Sequence, residues 1–176
     1  IVLADGQVRE GVWEREGNRG IELQGKTVGV IGFGNTGKAF ANRVAGFGVS
    51  ILAYDKYLVG YGNAHITEAG MDQIMAESDI LSLHIPLTHE TDKLIDADFI
   101  NQCEKPFYLI NTSRGKVVDT AALIDGLKSG KVLGACLDVL ENENITPNVK
   151  MQLPWFSDLI KFNNVVLTPH VAGWTL

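Results

Sequence analysis

Residues 28–41 read VGVIGFGNTGKAFA. An apolar run stops at glycines spaced G-x-G-x-x-G, and a helical pattern follows. Gly32 permits the tight turn, Gly34 leaves room for a pyrophosphate to approach the backbone, and Gly37 lets helix and strand pack closely. The N–H groups of Asn35, Thr36 and Gly37 then face phosphates at the positive end of the helix. In a chain with 19 glycines the spacing alone can arise by chance. Its context carries the reading: a strand before it, a helix after it, and a second strand ending at Asp55. Asp55 lies where an acid accepts hydrogen bonds from the adenosine ribose hydroxyls. It would repel a 2′-phosphate, which favours NAD over NADP, while Lys56 beside it softens that preference. The plain alternative for Asp55 is a solvated strand-end carboxylate. A similar turn also serves S-adenosylmethionine sites.

The rest of the chain repeats the alternation. Thr27–Ile31, Ser50–Tyr54, Ile80–Ile85, Phe107–Asn111, Leu133–Val139 and Val165–Thr168 read as strands. Most are apolar almost throughout, which marks a parallel sheet covered on both faces. Helices are expected at Lys38–Phe47, Met71–Glu77, Ala97–Gln102 and Ala121–Ser129. Asp119 caps the last, and Gly130 closes it. The expected fold class is α/β, a doubly wound parallel sheet of Rossmann type. Glu141–Asp158 is a long polar stretch with Pro147 and Pro154, the kind of loop that is usually functional or mobile.

Size allows one sizeable core: 176 residues suit a single domain. A net charge of −6 with scattered Lys and Arg argues against nucleic acid as a partner. No apolar run approaches the ~20 residues of a membrane helix. Cys103 and Cys136 both sit beside apolar residues and read as buried thiols in a reducing cytoplasm. Neither belongs to a metal-type C-x-x-C, and no metal is expected. His65 and His89 read as surface residues, and Met71 and Met75 as core. Trp155 and Phe156 read as local core or subunit contact. Leu3–Trp13 reads as the end of a helix. The expected boundary falls near residue 20, with a connector over 1–20 and a nucleotide-binding domain over 21–176.

Three later stretches close strands at the carboxyl edge of the sheet: LINTSRGKVVD (109–119), GACLDVLENE (134–143) and LTPHVAGWT (167–175). With GFGNTG, YD (54–55) and LHIPLTHETDKLI (83–95), they run in the order found in the D-isomer-specific 2-hydroxyacid dehydrogenases. From Leu23 onward the chain resembles the nucleotide-binding domain of that family. It is most similar to the branch that includes phosphoglycerate dehydrogenases. The resemblance implies NAD as cofactor, a small 2-hydroxy or 2-oxo acid as substrate (3-phosphoglycerate among the candidates), and a homodimer formed through the nucleotide domain. It also makes residues 1–20 the remnant of a hinge helix and its connector, with the separate substrate domain absent from this chain. It places the family's catalytic Arg on Arg114, its Glu on Glu143 and its His on His170. The nicotinamide-side acid falls on Asp138. The stretches around His84, Ile85 and Pro86, and around Thr112 and Ser113, match segments that line the cofactor. The family often has Pro after its Glu. Here Asn144 follows, and Glu141 lies close by, so either carboxylate can face inward.

These residue types suit oxidation of a 2-hydroxy acid, which removes a hydroxyl proton and a hydride from one carbon. An imidazole titrates near neutrality and suits the proton. A carboxylate beside it favours the charged ring, and a guanidinium pairs with substrate oxygens. Taken alone, His170 also fits a packing role at a strand end, Arg114 a phosphate contact and Asp138 an ordinary strand-end acid. Two other classes compete: an NAD-sensing, non-enzymatic corepressor, and the related domain of adenosylhomocysteinases, against which NTSRG and TPHVAGW speak.

Overall fold

The computed structural model describes residues 2–143 and 153–174. Seven strands, β1 (Thr27–Ile31), β2 (Ser50–Tyr54), β3 (Ile66–Glu68), β4 (Ile80–Leu83), β5 (Phe107–Asn111), β6 (Val132–Leu137) and β7 (Val165–Leu167), form one parallel sheet. Their order is β3-β2-β1-β4-β5-β6-β7. The chain starts mid-sheet, winds outward to β3, then crosses back to β4 and winds the other way. Between β1 and β4 the winding reverses, which opens a crevice at their carboxyl ends. Backbone bonds tie that edge together: Gly32 N–H donates to Tyr54 O at 2.8 Å, and His84 N–H donates to Ile31 O at 2.8 Å.

Alternate residues of each strand enter different layers. Ile31, Leu52, Leu81, Leu83, Leu109 and Leu137 pack on one face, beneath α3 (Met71–Glu77), α4 (Ala97–Gln102) and α5 (Thr120–Ser129). Val28, Val30, Ile51, Ala53 and Ile80 pack on the other, with Phe40, Ala41 and Val44 of α2 (Asn35–Val44). Asp119 accepts from the N–H groups of Ala121 and Ala122, and Gly130 takes the left-handed conformation that ends α5.

Several expectations need correction. β3 was not foreseen: it has three residues and one buried side chain, Ile66, too short for a periodic signal. β4 stops at Leu83 rather than Ile85, because the chain turns into the crevice at His84. β6 runs Val132–Leu137 rather than Leu133–Val139. α2 starts at Asn35, three residues before Lys38, directly from the glycine turn, and Ala45–Phe47 tightens into a 3₁₀ turn. The first helix, α1, covers Val2–Arg9 and buries no residue. Cys103 is buried, but Cys136 is exposed, and both thiols are free. Cys136 lies with Tyr108, Ile110 and Leu133 along an apolar groove of ≈ 460 Å³, on a stretch of sheet that no helix among the described residues covers. A sheet covered on both faces was therefore too strong an expectation for the β5–β6 half.

His65 and His89 are exposed, and Met71, Met75 and Trp155 pack against the larger core cluster. Half of the polar 141–158 stretch, residues 144–152, falls outside the described residues. Its far end forms a short helix, α6 (Phe156–Leu159), whose Leu159 is fully buried.

Candidate active site

The glycine turn occupies the switch point between β1 and β4. Gly32 has φ 93°, a left-handed conformation that favours glycine. A Cβ there would lie 2.6 Å from His84 O. A Cβ on Gly37 would overlap Gly32 O, so the helix can sit this close only without one. Gly34 differs: nothing lies within 4 Å of where its Cβ would be. It is the N-cap of α2 and makes no side-chain cap bond, and the first turn carries no acid. The leading N–H groups at Asn35, Thr36 and Gly37 thus begin a helix whose positive end faces open space, which suits an anionic pyrophosphate.

Two clefts flank this turn. The first, ≈ 370 Å³, is lined by Gly32, Gly34, Asp55, His84, Ile85 and Pro86 among others. Asp55 Oδ2 accepts from Phe33 N at 2.8 Å, and Oδ1 accepts from Tyr57 N at 2.9 Å and Leu58 N at 3.0 Å. Burial raises its pKa, but the N–H groups of Tyr57, Phe33 and Leu58 outweigh burial, and the group ends below its ordinary value. It is a fixed anion. Of its roughly four acceptor positions, three are taken, and the remaining one on Oδ2 is available to a ribose hydroxyl.

The second cleft, ≈ 360 Å³, is lined by Thr36, His84, Ile85, Pro86, Thr112, Ser113, Arg114, Ala172 and Gly173. Asn111, 1% exposed at the end of β5, shapes its floor. Its Oδ1 accepts from Ser113 N and Ser113 Oγ, and its Nδ2 donates to Arg114 O at 3.0 Å. Sequence reasoning assigned Asn111 only to a strand. Its signal was the N-T-S order, since Asn bonds its own backbone two residues on. The Arg114 side chain is exposed at the cleft, with Nη1 donating to Ser113 O at 2.6 Å. A Cβ on the next residue, Gly115, would overlap Leu140 O. That close approach sets the Arg114 loop against the turn that leads to Glu143.

His84 serves both clefts but is no acid or base near neutrality. Burial pushes its imidazole down to about 4, and its Nε2 lies 2.9 Å from Ser82 Oγ.

His170 is held differently. Its Nδ1 lies 2.8 Å from Glu143 Oε1, and its side chain is half exposed. Glu143 Oε2 also accepts from Leu140 N at 3.1 Å, which fixes the carboxylate. Glu141 turns away, toward Thr120 N and Lys93. Of the two carboxylates open from the sequence, Glu143 faces the imidazole. His170 adopts φ 56°, a strained backbone for a non-glycine residue. Asp138, buried at the end of β6, holds this turn. Its Oδ1 accepts from Thr168 Oγ1 at 2.6 Å and Val171 N at 2.9 Å, its Oδ2 accepts from Ala172 N at 2.9 Å, and its carbonyl accepts from His170 N at 2.7 Å. Burial raises the Asp138 pKa, but the Thr168 hydroxyl and the two N–H groups more than offset it, leaving it below the ordinary range. In this arrangement Asp138 lies beneath the His170 turn rather than on the wall of the second cleft.

Residues 1–172 match the family model of the D-isomer specific 2-hydroxyacid dehydrogenase NAD binding domain. The chain belongs to this family. As such a domain it has NAD as cofactor, and the open turn at Gly34, the uncapped α2 and the fixed Asp55 anion fit that group. The chain is 43% identical over 183 residues to a glyoxylate reductase of Thermofilum pendens, covering 100% of this chain and 52% of the relative. It is 38% identical to a D-3-phosphoglycerate dehydrogenase of Archaeoglobus fulgidus, covering 99% of this chain and 32% of the relative. Among solved structures, the pyruvate reductase of Chlamydomonas reinhardtii matches with a TM-score of 0.88 and 36% identity, covering 99% of this chain and 55% of that one. The NAD-complexed D-isomer specific 2-hydroxyacid dehydrogenase of Lactobacillus delbrueckii ssp. bulgaricus matches with a TM-score of 0.85 and 32% identity, over 99% and 54%. The chain spans about half the length of most of these relatives, and less of the longest. No helix among the described residues is long and apolar enough to cross a membrane.

Proposed function

We propose that the whole protein interconverts a small D-2-hydroxy acid and its 2-oxo acid, with Arg114, Glu143 and His170 as its reacting residues. The observation that carries this reading is the 2.8 Å contact between His170 Nδ1 and Glu143 Oε1. In this reading Nδ1–H donates to the carboxylate, which leaves Nε2 for the substrate hydroxyl. In oxidation, Nε2 accepts the hydroxyl proton, and Glu143 stabilises the imidazolium that forms. NAD, when bound, supplies the acceptor for the C2 hydride. Arg114 pairs with the substrate carboxylate and offsets charge growing on the keto oxygen. In reduction the same imidazolium returns its proton to that oxygen. Thr112, Ser113, Thr36 and the 84–86 backbone bound the nicotinamide side of the cofactor, Asp55 holds the adenosine ribose, and Asp138 keeps the His170 turn in place at that end.

The named relatives act on different small acids, so the substrate is read directly. Given NADH, the full-length protein is expected to reduce at least one of glyoxylate, hydroxypyruvate, pyruvate and 3-phosphohydroxypyruvate. Strength on the phosphorylated acid would support 3-phosphoglycerate as the reverse substrate. NAD binding without turnover of any 2-oxo acid would favour the corepressor-type reading instead.

A homodimer and a cytoplasmic location are part of the same proposal. The first is supported by the apolar side chains that α1 and its following turn leave exposed, Val2, Val8 and Trp13 among them. The second is supported by the two free thiols. Sedimentation equilibrium of the full-length protein is expected to give twice the chain mass, and a monomer at high concentration would overturn the dimer.

A further inference from the structure

Asp55 is not the only charged residue on the rim of the adenosine-side cleft. Lys56 and Tyr57, which follow it after β2, and Glu90, on the loop after β4, line the same cleft. Lys56 Nζ lies 2.6 Å from Glu90 Oε2, and Tyr57 Oη donates to the same oxygen at 3.2 Å. The ammonium also lies 5.8 Å from the centre of the Tyr57 ring. One carboxylate thus gathers both side chains that follow Asp55 and ties the β2 loop to the β4 loop at the mouth of the cleft.

NADP differs from NAD by a phosphate on the adenosine ribose, where an acid at the end of the second strand reads the hydroxyls. A lysine immediately after that acid is well placed to bind such a phosphate. Without Glu90, Lys56 would balance Asp55 and leave the rim neutral. With Glu90, the rim keeps a net negative charge and the ammonium is already partnered. We propose that Glu90 is a cofactor-specificity residue: by engaging Lys56 across the cleft mouth, it withholds a cation, set beside Asp55 on the cleft rim, that a 2′-phosphate could use. Discrimination against NADP is then shared between Asp55, which repels the phosphate, and Glu90, which removes its counter-charge. This rests on reading the Asp55 cleft as the adenosine-ribose site.

The pair is exposed, and an exposed ion pair contributes little to stability, so Glu90→Gln is expected to leave the melting temperature unchanged. Its effect lies in affinity. Titration of the full-length protein with NAD and with NADP is expected to show NADP binding tightened about fivefold in Glu90→Gln, with NAD within about twofold of wild type. The gain should disappear in the Lys56→Ala, Glu90→Gln double variant and shrink with added salt. An unchanged NADP-to-NAD ratio in Glu90→Gln would overturn the proposal. So would a gain that survives loss of Lys56, since repulsion alone would then account for it. Asp55→Ala separates failure of the proposal from failure of its premise: if that variant alters neither affinity, the cleft is not the ribose site.

Discussion

His170→Ala in the full-length protein is expected to lower turnover by about 100-fold or more, while NAD affinity stays near wild type. Glu143 engages Nδ1 of the imidazole, which leaves Nε2 to handle the substrate proton. His84 is half-buried, and burial pushes its imidazole down to about 4, so it is poorly suited to take over the proton. Glu143→Gln should lower turnover less than His170→Ala does, because the amide oxygen can still accept from Nδ1 but no longer offsets the charge of the imidazolium that forms. Glu141→Gln serves as the contrast. That carboxylate bonds Thr120 N and lies near Lys93, and its loss should leave turnover in place. Equal turnover in the two variants would remove Glu143 from the role assigned to it. Normal turnover in His170→Ala would remove the catalytic reading altogether.

The sheet and the glycine turn were legible because local pattern and global fold agree there. Short apolar runs, a fixed spacing of glycines and a strand-end acid each point to the same crossing between β1 and β4. Legibility failed where structure depends on distant partners. β3 is a strand because Ile51–Ala53 of β2 offer it a partner, not because Ile-Thr-Glu has a period. Cys136 is exposed because no helix among the described residues covers its part of the sheet, which no property of the residues around it announces. At the site, residue types could be named but not their neighbours. Two carboxylates, Glu141 and Glu143, were equivalent in the sequence. They are separated by the close approach of Gly115 to Leu140 and by the left-handed Asn142 between them, at φ 56°. Asn111 shapes the site through three hydrogen bonds to Ser113 and Arg114, and Ser82 through one to His84, and only the fold brings those neighbours to the cofactor edge.

The glycine turn itself yields the most discriminating pair of variants. Gly37→Ala places a methyl group against the carbonyl of Gly32, a backbone atom that cannot rotate aside. Relief requires α2 to move off β1, a form of overpacking that costs about 1–3 kcal/mol. For a domain of this size that is roughly 2–10 °C in melting temperature, with NAD affinity lost alongside because the helix start has shifted. Gly34→Ala should behave in the opposite way. Its backbone, φ −72° and ψ −158°, suits any residue, and its Cβ would meet nothing within 4 Å. The fold should therefore be indifferent to it, with melting unchanged. The same empty space is where a pyrophosphate must approach the start of α2, so NAD should bind at least about tenfold more weakly, ~1.4 kcal/mol. Thermal unfolding and calorimetric titration of both variants separate the two effects. If Gly34→Ala binds NAD as the wild type does, the phosphates do not cross this turn, and the space beside Gly34 has some other use.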